Sequence, residues 1–205
     1  IPSGILFPKK ICVITNGVVV DPKALKEEID LLKTKNISVD GRFFVSELAH
    51  VILPYHKYID GILEDDVQKV KIGTTKKGIG PCYADKVRRV GIRIVDYLDK
   101  ETFIELLDQN LKEKEQMLKS VVSIKKLRAE ILKDHEVLSK FLKKYVADTS
   151  LMLDEAIKKK KKILFESAQG TLLDLDYGTY PYVTSSNPSA GGASVGAGIG
   201  PSRIE

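Results

Sequence analysis

Apolar residues recur along this chain with two different periods, and the switch between them sets out its elements. Lys10 to Val20 (KICVITNGVVV) is mostly β-branched, with Asn16-Gly17, a dipeptide favoured in tight turns, near its middle. The run predicts two strands paired about that turn. Asp21 then reads as a helix cap, with Pro22 at the first helical position. Leu25, Ile29 and Leu32 lie on one face of that helix, and Asn36 ends it. Ile37 to Ser46 predicts another strand, with Gly41 inside it, and the chain turns helical after Pro54, through Tyr55, Ile59, Ile62 and Leu63. From about 100 to 162 it is helical and charged. There Ile124, Leu127, Ile131, Leu138, Leu142 and Tyr145 follow a heptad-like stripe. The stripe is short, which suits one packed hairpin of helices better than a long free coiled coil. His135 falls off the stripe and is expected in solvent. Ile163-Leu164-Phe165, an apolar run beside lysines, suits a strand buried in a sheet.

Strands interleaved with helices predict an α/β fold: a central, mostly parallel sheet flanked by helices, with a helical insertion over about 100–162. No internal repeat and no domain boundary is visible, so residues 1–205 read as a single domain. With 43% hydrophobic and 30% charged residues, 205 residues suffice for a real core. No apolar run approaches membrane-spanning length, and no charged-then-apolar leader opens the chain. The chain begins at Ile1 and not at Met, which suggests processing or an internal piece of something longer. Cys12 and Cys82 have no metal-ligand spacing and read as two reduced thiols, in keeping with a cytoplasmic location. His50 and His56 lack a third ligand and read as packing or surface residues. The net charge of +5 favours anionic ligands without itself arguing for nucleic acid.

Two stretches carry the candidate chemistry. Phe165 to Pro201 changes to small and hydroxylic residues: Ser167, Gln169, Gly170 and Thr171, then Thr184, Ser185, Ser186 and Asn187, then a run of glycines. Such residues at the carboxyl end of a strand expose short hydrogen-bonding groups where α/β sheets bind ligands. Tyr180-Pro181-Tyr182-Val183 is too apolar and stiff for a free linker, so a shaped ligand wall is favoured over a plain loop. The second stretch, Lys71 to Arg93, places Gly73-Thr74-Thr75-Lys76-Lys77-Gly78 ahead of a helix that has Pro81 at its start. Glycines, threonines and lysines running into a helix N-terminus make an anion site, although no Gly-Lys-Ser/Thr closes it as a Walker loop would. A tight surface turn is the competing reading. Lys86 and Arg89 share a face of that helix, and a local Asp85–Arg89 pair at i,i+4 is the plain alternative to phosphate binding. Lys158 to Lys162 reads as a positively charged helix end, not a nucleic-acid site, because no aromatic residues are interleaved.

Two of these runs resemble one family. GIGPCYADKVRR, from Gly78 to Arg89, resembles the signature of adenylosuccinate synthetases, and FESAQGTLLDLDYGTYPYVTSSN resembles their second long motif. The opening IPSGIL and the ITNGVVVDP segment are similar too, so the resemblance runs along the whole chain. It implies a GTP-dependent ligase of AMP biosynthesis that joins IMP and L-aspartate with Mg²⁺, phosphorylating the purine oxygen before the amine displaces that phosphate. It also implies a homodimer, with no nucleic acid and no membrane among its partners. Carried over by motif position, Thr75, Gln169 and Thr184 touch IMP, and Arg89 reaches the IMP phosphate of the neighbouring subunit. The resemblance places the family's catalytic aspartate, catalytic histidine and GTP-phosphate loop before Ile1. It places the aspartate-binding loop and guanine pocket after Glu205. On that reading the chain is an internal fragment with no catalytic residue and no metal ligand, and inactive alone. The sequence departs from the usual pattern at Lys76-Lys77, Ser167 and Pro188-Ser189. A basic nucleic-acid module and a scaffold that dimerises through the central helices are the readings from other classes.

Overall fold

The β-branched runs form strands, but each pairs with a partner far along the chain. In the computed structural model, which describes residues 1–66 and 73–204, β1 (Cys12–Ile14) and β2 (Val19–Val20) belong to different sheets. β3 (Phe43–Ser46) lies between β1 and β5 (Val146–Ala147), with both pairs parallel. Cys12 stands opposite Phe43, and Val45 opposite Val146. β2 pairs in parallel with β4 (His50–Val51). Asn16-Gly17 is therefore not the turn of a hairpin. A helical crossover separates β1 from its partner, as parallel pairing requires.

That crossover is α1 (Pro22–Thr34), and the sequence specifies its ends. The Asp21 carboxylate accepts from the amides of Lys23 and Ala24, Pro22 occupies the first turn, and Asn36 leaves the helix in a left-handed conformation at φ 57°. Leu25 and Ile29 face the core. The strand expected over Ile37 to Ser46 is shorter, because Gly41 turns the backbone at φ 70° and only Phe43 onward pairs. α2 (Pro54–Asp65) begins at the expected proline. Lys71 and Ile72, at the head of the glycine-rich stretch, lie outside the described residues. Beyond them come α3 (Ile79–Arg88), α4 (Ile94–Leu98), α5 (Lys100–Leu118) and α6 (Ile124–Leu142).

α5 and α6 pack against each other and against α1, α2 and α4. Leu127, Ile131, Leu138, Leu142 and Tyr145 of the stripe are buried, and Ile124 is half-buried. The chain returns to the sheet at β5, inside the range expected to be helical, before α7 (Thr149–Lys158). His135 is a correction: it is 4% exposed, its ring stacked on Phe103 with centroids 4.3 Å apart and its Nε2 2.8 Å from the Tyr97 carbonyl oxygen. An aromatic ring with one satisfied polar atom packs in a core as a hydrophobe does. Ile163 to Phe165 is a second correction. It joins no sheet, and Leu164 is 86% exposed. Only Ile163 and Phe165 lean inward, against Leu153, Ala197 and Ile199. The lysine run ends α7 as expected, with Lys158 paired to Asp154 and Lys159 to Glu155 one turn back.

The chain's three histidines share an electrostatic consequence. Burial pushes the pKa of His50 down to about 4, aided by Lys86 and Arg93, and burial also lowers those of His56 and His135. The unfolded chain, with histidine pKa near 6.5, therefore binds more protons than the folded one below that pH. Their contribution to stability is complete above about pH 6.5 and lost progressively toward about pH 4. Urea unfolding at about pH 7 and pH 5 is expected to show a lower midpoint at the acid pH.

Candidate functional site

The glycine-rich loop is shaped by α2. Its backbone turns left-handed at Gly73 (φ 80°), Lys76 (φ 52°) and Gly78 (φ 77°). Gly78 has a second constraint: a Cβ there would lie 2.8 Å from His56 Cβ and 2.9 Å from the His56 carbonyl carbon. Three carboxylates on α2 hold the loop against the helix. Asp60 accepts from the Gly78 amide at 2.8 Å, Glu64 from the Gly73 amide at 2.9 Å, and Asp65 from Lys76 Nζ at 2.6 Å. Thr75, between these ties, is exposed.

α3 leaves this loop and runs between two sets of contacts. On one side Tyr83 Oη donates to the Gly17 carbonyl at 2.6 Å and Lys86 Nζ to the Asn16 carbonyl at 2.8 Å, which places the helix against the loop after β1. On the other side Asp85 is buried, 3.2 Å from His56 Nε2 and 3.1 Å from Lys114 Nζ of α5. The Leu53 amide donates to His56 Nδ1, so the proton of the neutral ring sits on Nε2 and points at Asp85. Burial works to raise the Asp85 pKa, but His56 and Lys114 outweigh it and hold the carboxyl below its ordinary value. The expected Asp85–Arg89 pair does not form, because Asp85 faces inward. Arg89 ends α3 in a left-handed conformation at φ 65°, exposed and without an ion pair among the described residues.

The stretch from Phe165 to Pro201 folds around another buried carboxylate. Asp174 accepts from the amides of Asp176 (3.0 Å), Tyr177 (3.2 Å) and Ser189 (3.2 Å) and from Asn187 Nδ2 (3.1 Å). Burial alone would raise its pKa, but these donors outweigh it and hold the carboxyl well below the usual range. Gly178 fits under this turn because a Cβ would come within 2.4 Å of the Leu172 and Asp174 carbonyl oxygens. The amide of Thr184 donates to the Leu173 carbonyl at 2.9 Å, which ties that threonine back to the segment that follows Gln169.

The glycine run is not a loop but a helix, α8 (Ala190–Ala197). It docks by its carboxyl end. Gly17 N–H donates to the Gly196 carbonyl at 2.7 Å, Asn16 Nδ2 to Val195 at 3.2 Å and Ser150 Oγ to Ala197 at 3.3 Å. A Cβ on Gly17 would stand 2.6 Å from Gly196 Cα. Just before α8, Ser185 Oγ lies 3.1 Å from where a Gly80 Cβ would be, and Ser186 comes near the side chain of Tyr83.

Among the expected site residues, Thr184 adjoins Ser185, which meets Gly80 in the first turn of α3, the helix that Thr75 precedes, whereas the backbone amide of Gln169 bonds locally to Ser167 Oγ at 3.4 Å. Gln169 and Thr184 are half-buried. Arg89 is not brought to this end. Ten residues of α3 separate the two ends, about 15 Å at 1.5 Å per residue. Two surface hollows lie elsewhere: one among Asp21, Leu53, Tyr97 and Ile131, and one of about 310 Å³ among Lys23, Lys57, Glu130 and Asp134. Neither is lined by any of the four residues. Among the described residues, no three His, Cys, Asp or Glu side chains gather where they could hold a metal ion. Sequence reasoning missed Asp60, Asp174 and the His56–Asp85–Lys114 group. Acidic residues at helical spacing along α2 were the available signal for the first of these.

Parallel strands joined through helices define an α/β protein with a mostly parallel sheet. The adenylosuccinate synthetase family model matches residues 1–205, and the chain belongs to that family. It is 68% identical over its whole length to the adenylosuccinate synthetase of Endomicrobium trichonymphae and 53% identical to that of Carboxydothermus hydrogenoformans. It covers 48% of each, so the chain spans about half the length of these curated relatives. The structure of fully ligated adenylosuccinate synthetase from Plasmodium falciparum superposes with a TM-score of 0.88 at 32% identity, over 100% of this chain and 47% of that one. A cyanophage S-2L succinoaminodeoxyadenylate synthetase shares the fold, with a TM-score of 0.58 at 21% identity over 99% of this chain and 46% of that one.

Two substitutions test these contacts. Gly17→Ala is expected to destabilise the chain by about 1–3 kcal/mol, read from urea unfolding, because the new methyl would stand 2.6 Å from the Gly196 Cα. Asp174→Ala is expected to speed proteolytic cleavage between residues 174 and 189, with Asp174→Asn intermediate because it keeps one acceptor oxygen.

Proposed function

We propose that this chain forms much of the IMP-binding wall of an adenylosuccinate synthetase, the cytoplasmic, GTP-dependent ligase that joins IMP and L-aspartate. The observation that supports the reading is the approach of Ser185, the neighbour of Thr184 in the chain, to Gly80 at the end of α3 that the Thr75 loop enters. Hydroxyls from two distant segments and the Gln169 amide then face one nucleotide, offering donors and acceptors to phosphate and base. Arg89, at the other end of α3 and free of ion pairs among the described residues, is placed to serve the phosphate of a second subunit in a homodimer.

Binding and orientation are the contributions of these residues. GTP and Mg²⁺ supply the phosphoryl group and its charge stabilisation when bound, held by parts of the family's chain other than these residues. The nucleic-acid reading is weaker, because two cations of the lysine run are already paired within α7. Titration calorimetry with IMP is expected to show saturable binding that Thr184→Ala and Gln169→Ala each weaken about five- to tenfold, the loss of roughly one hydrogen bond. An assay of this chain alone with GTP, IMP and aspartate is expected to give background turnover. Steeply salt-dependent affinity for RNA in place of IMP binding would refute the proposal.

A further inference from the structure

Lys114 is a buried cation with no place in the proposed IMP wall. It lies on α5, in the helical region after residue 100, and its side chain is 8% exposed. Its Nζ is 3.1 Å from an Asp85 carboxylate oxygen, 2.7 Å from Asn110 Oδ1, 3.7 Å from a Glu113 carboxylate oxygen and 5.6 Å from the Tyr55 ring centroid. A buried ion pair is seldom kept for stability, because apolar groups of similar volume usually serve as well. Both of its main partners lead to one turn. Asn110, its carbonyl oxygen held by Lys114, presents Nδ2 to the Val90 carbonyl at 2.9 Å and to the Leu106 carbonyl at 3.0 Å. Asp85 receives the amides of Val90 and Gly91 on its own carbonyl, each at 3.0 Å. The turn so gripped contains Arg89, held left-handed at φ 65°, a conformation that costs a non-glycine residue about 1 kcal/mol or more and persists where its surroundings impose it.

We propose that Lys114 is a positioning residue: through Asp85 and Asn110 it fixes the turn that carries Arg89 at the end of α3. The helical region after residue 100 thereby serves the phosphate site without touching substrate. The link to IMP rests on the reading above, but the grip on the turn does not. Lys114→Met and Asn110→Ala remove it from either side, and Lys114→Arg keeps the charge. In Lys114→Met, amide exchange at Val90 and Gly91 is expected to quicken about tenfold while Leu107 and Leu111 on α5 hold their rates, with Lys114→Arg restoring most of the protection. Should Lys114→Met fail to fold, Asn110→Ala is expected to give the same local pattern.

The IMP arm uses calorimetry. Lys114→Met should weaken IMP binding by about the factor seen for Arg89→Ala, and the double variant should lose no more, as for two residues acting through one contact. Unchanged exchange at Val90 and Gly91, or quickening spread evenly along α5, overturns the proposal. So do fully additive losses in the double variant. Absence of IMP binding by the unsubstituted chain overturns the functional reading instead, and the exchange result still decides the role of Lys114.

Discussion

A carboxylate shut away from water must be met by donors from several directions, and Asp85 is the one on which this structure turns. His56 reaches it from α2 and Lys114 from α5, while its own helix carries the signature sequence. Losing either partner would leave a buried charge uncompensated, which costs far more than the pair contributes. α2, α3 and α5 are therefore fixed relative to one another by electrostatics as well as by apolar packing. The ends of α3 inherit that precision. Gly78 presses on His56 at one end, and Arg89 turns out of the helix at the other.

The same device recurs on a smaller scale. Asp60 holds the Gly78 amide, and Asp174 gathers three amides and a side chain under the turn before α8. Loops outside the sheets have no ladder to order them, and inward-facing carboxylates do it here.

Elements with a strong apolar period were legible in the sequence. α1 announced itself by Asp21, Pro22 and the spacing of Leu25, Ile29 and Leu32, and the stripe from Leu127 to Tyr145 is indeed core. Failures came where the deciding partner is distant. Asn16-Gly17 has the local preference of a hairpin turn, yet β1 is claimed by a parallel neighbour and Gly17 by α8. Ile163 to Phe165 is an apolar run of the kind a buried strand has, and such a run does not say whether any edge is there to pair with it. α8 carries no apolar stripe at all. Its small residues are helical because its carbonyls dock on Asn16, Gly17 and Ser150. His135 was misjudged because a pattern of aliphatic residues does not register an imidazole that stacks. The motif resemblance supplied Thr75, Arg89, Gln169 and Thr184, but not the acids and the lysine that hold their surroundings in place, since those act through geometry that no local pattern records.

The contact between Gly17 and Gly196 joins positions 179 residues apart, with backbone pressed on backbone. A closure of that span carries an entropic penalty that local helices such as α5 and α6 do not face, and no side chain lies between the two glycines to capture it early. Seating α8 on the β1 loop therefore carries the closure cost of most of the chain's length in a single contact.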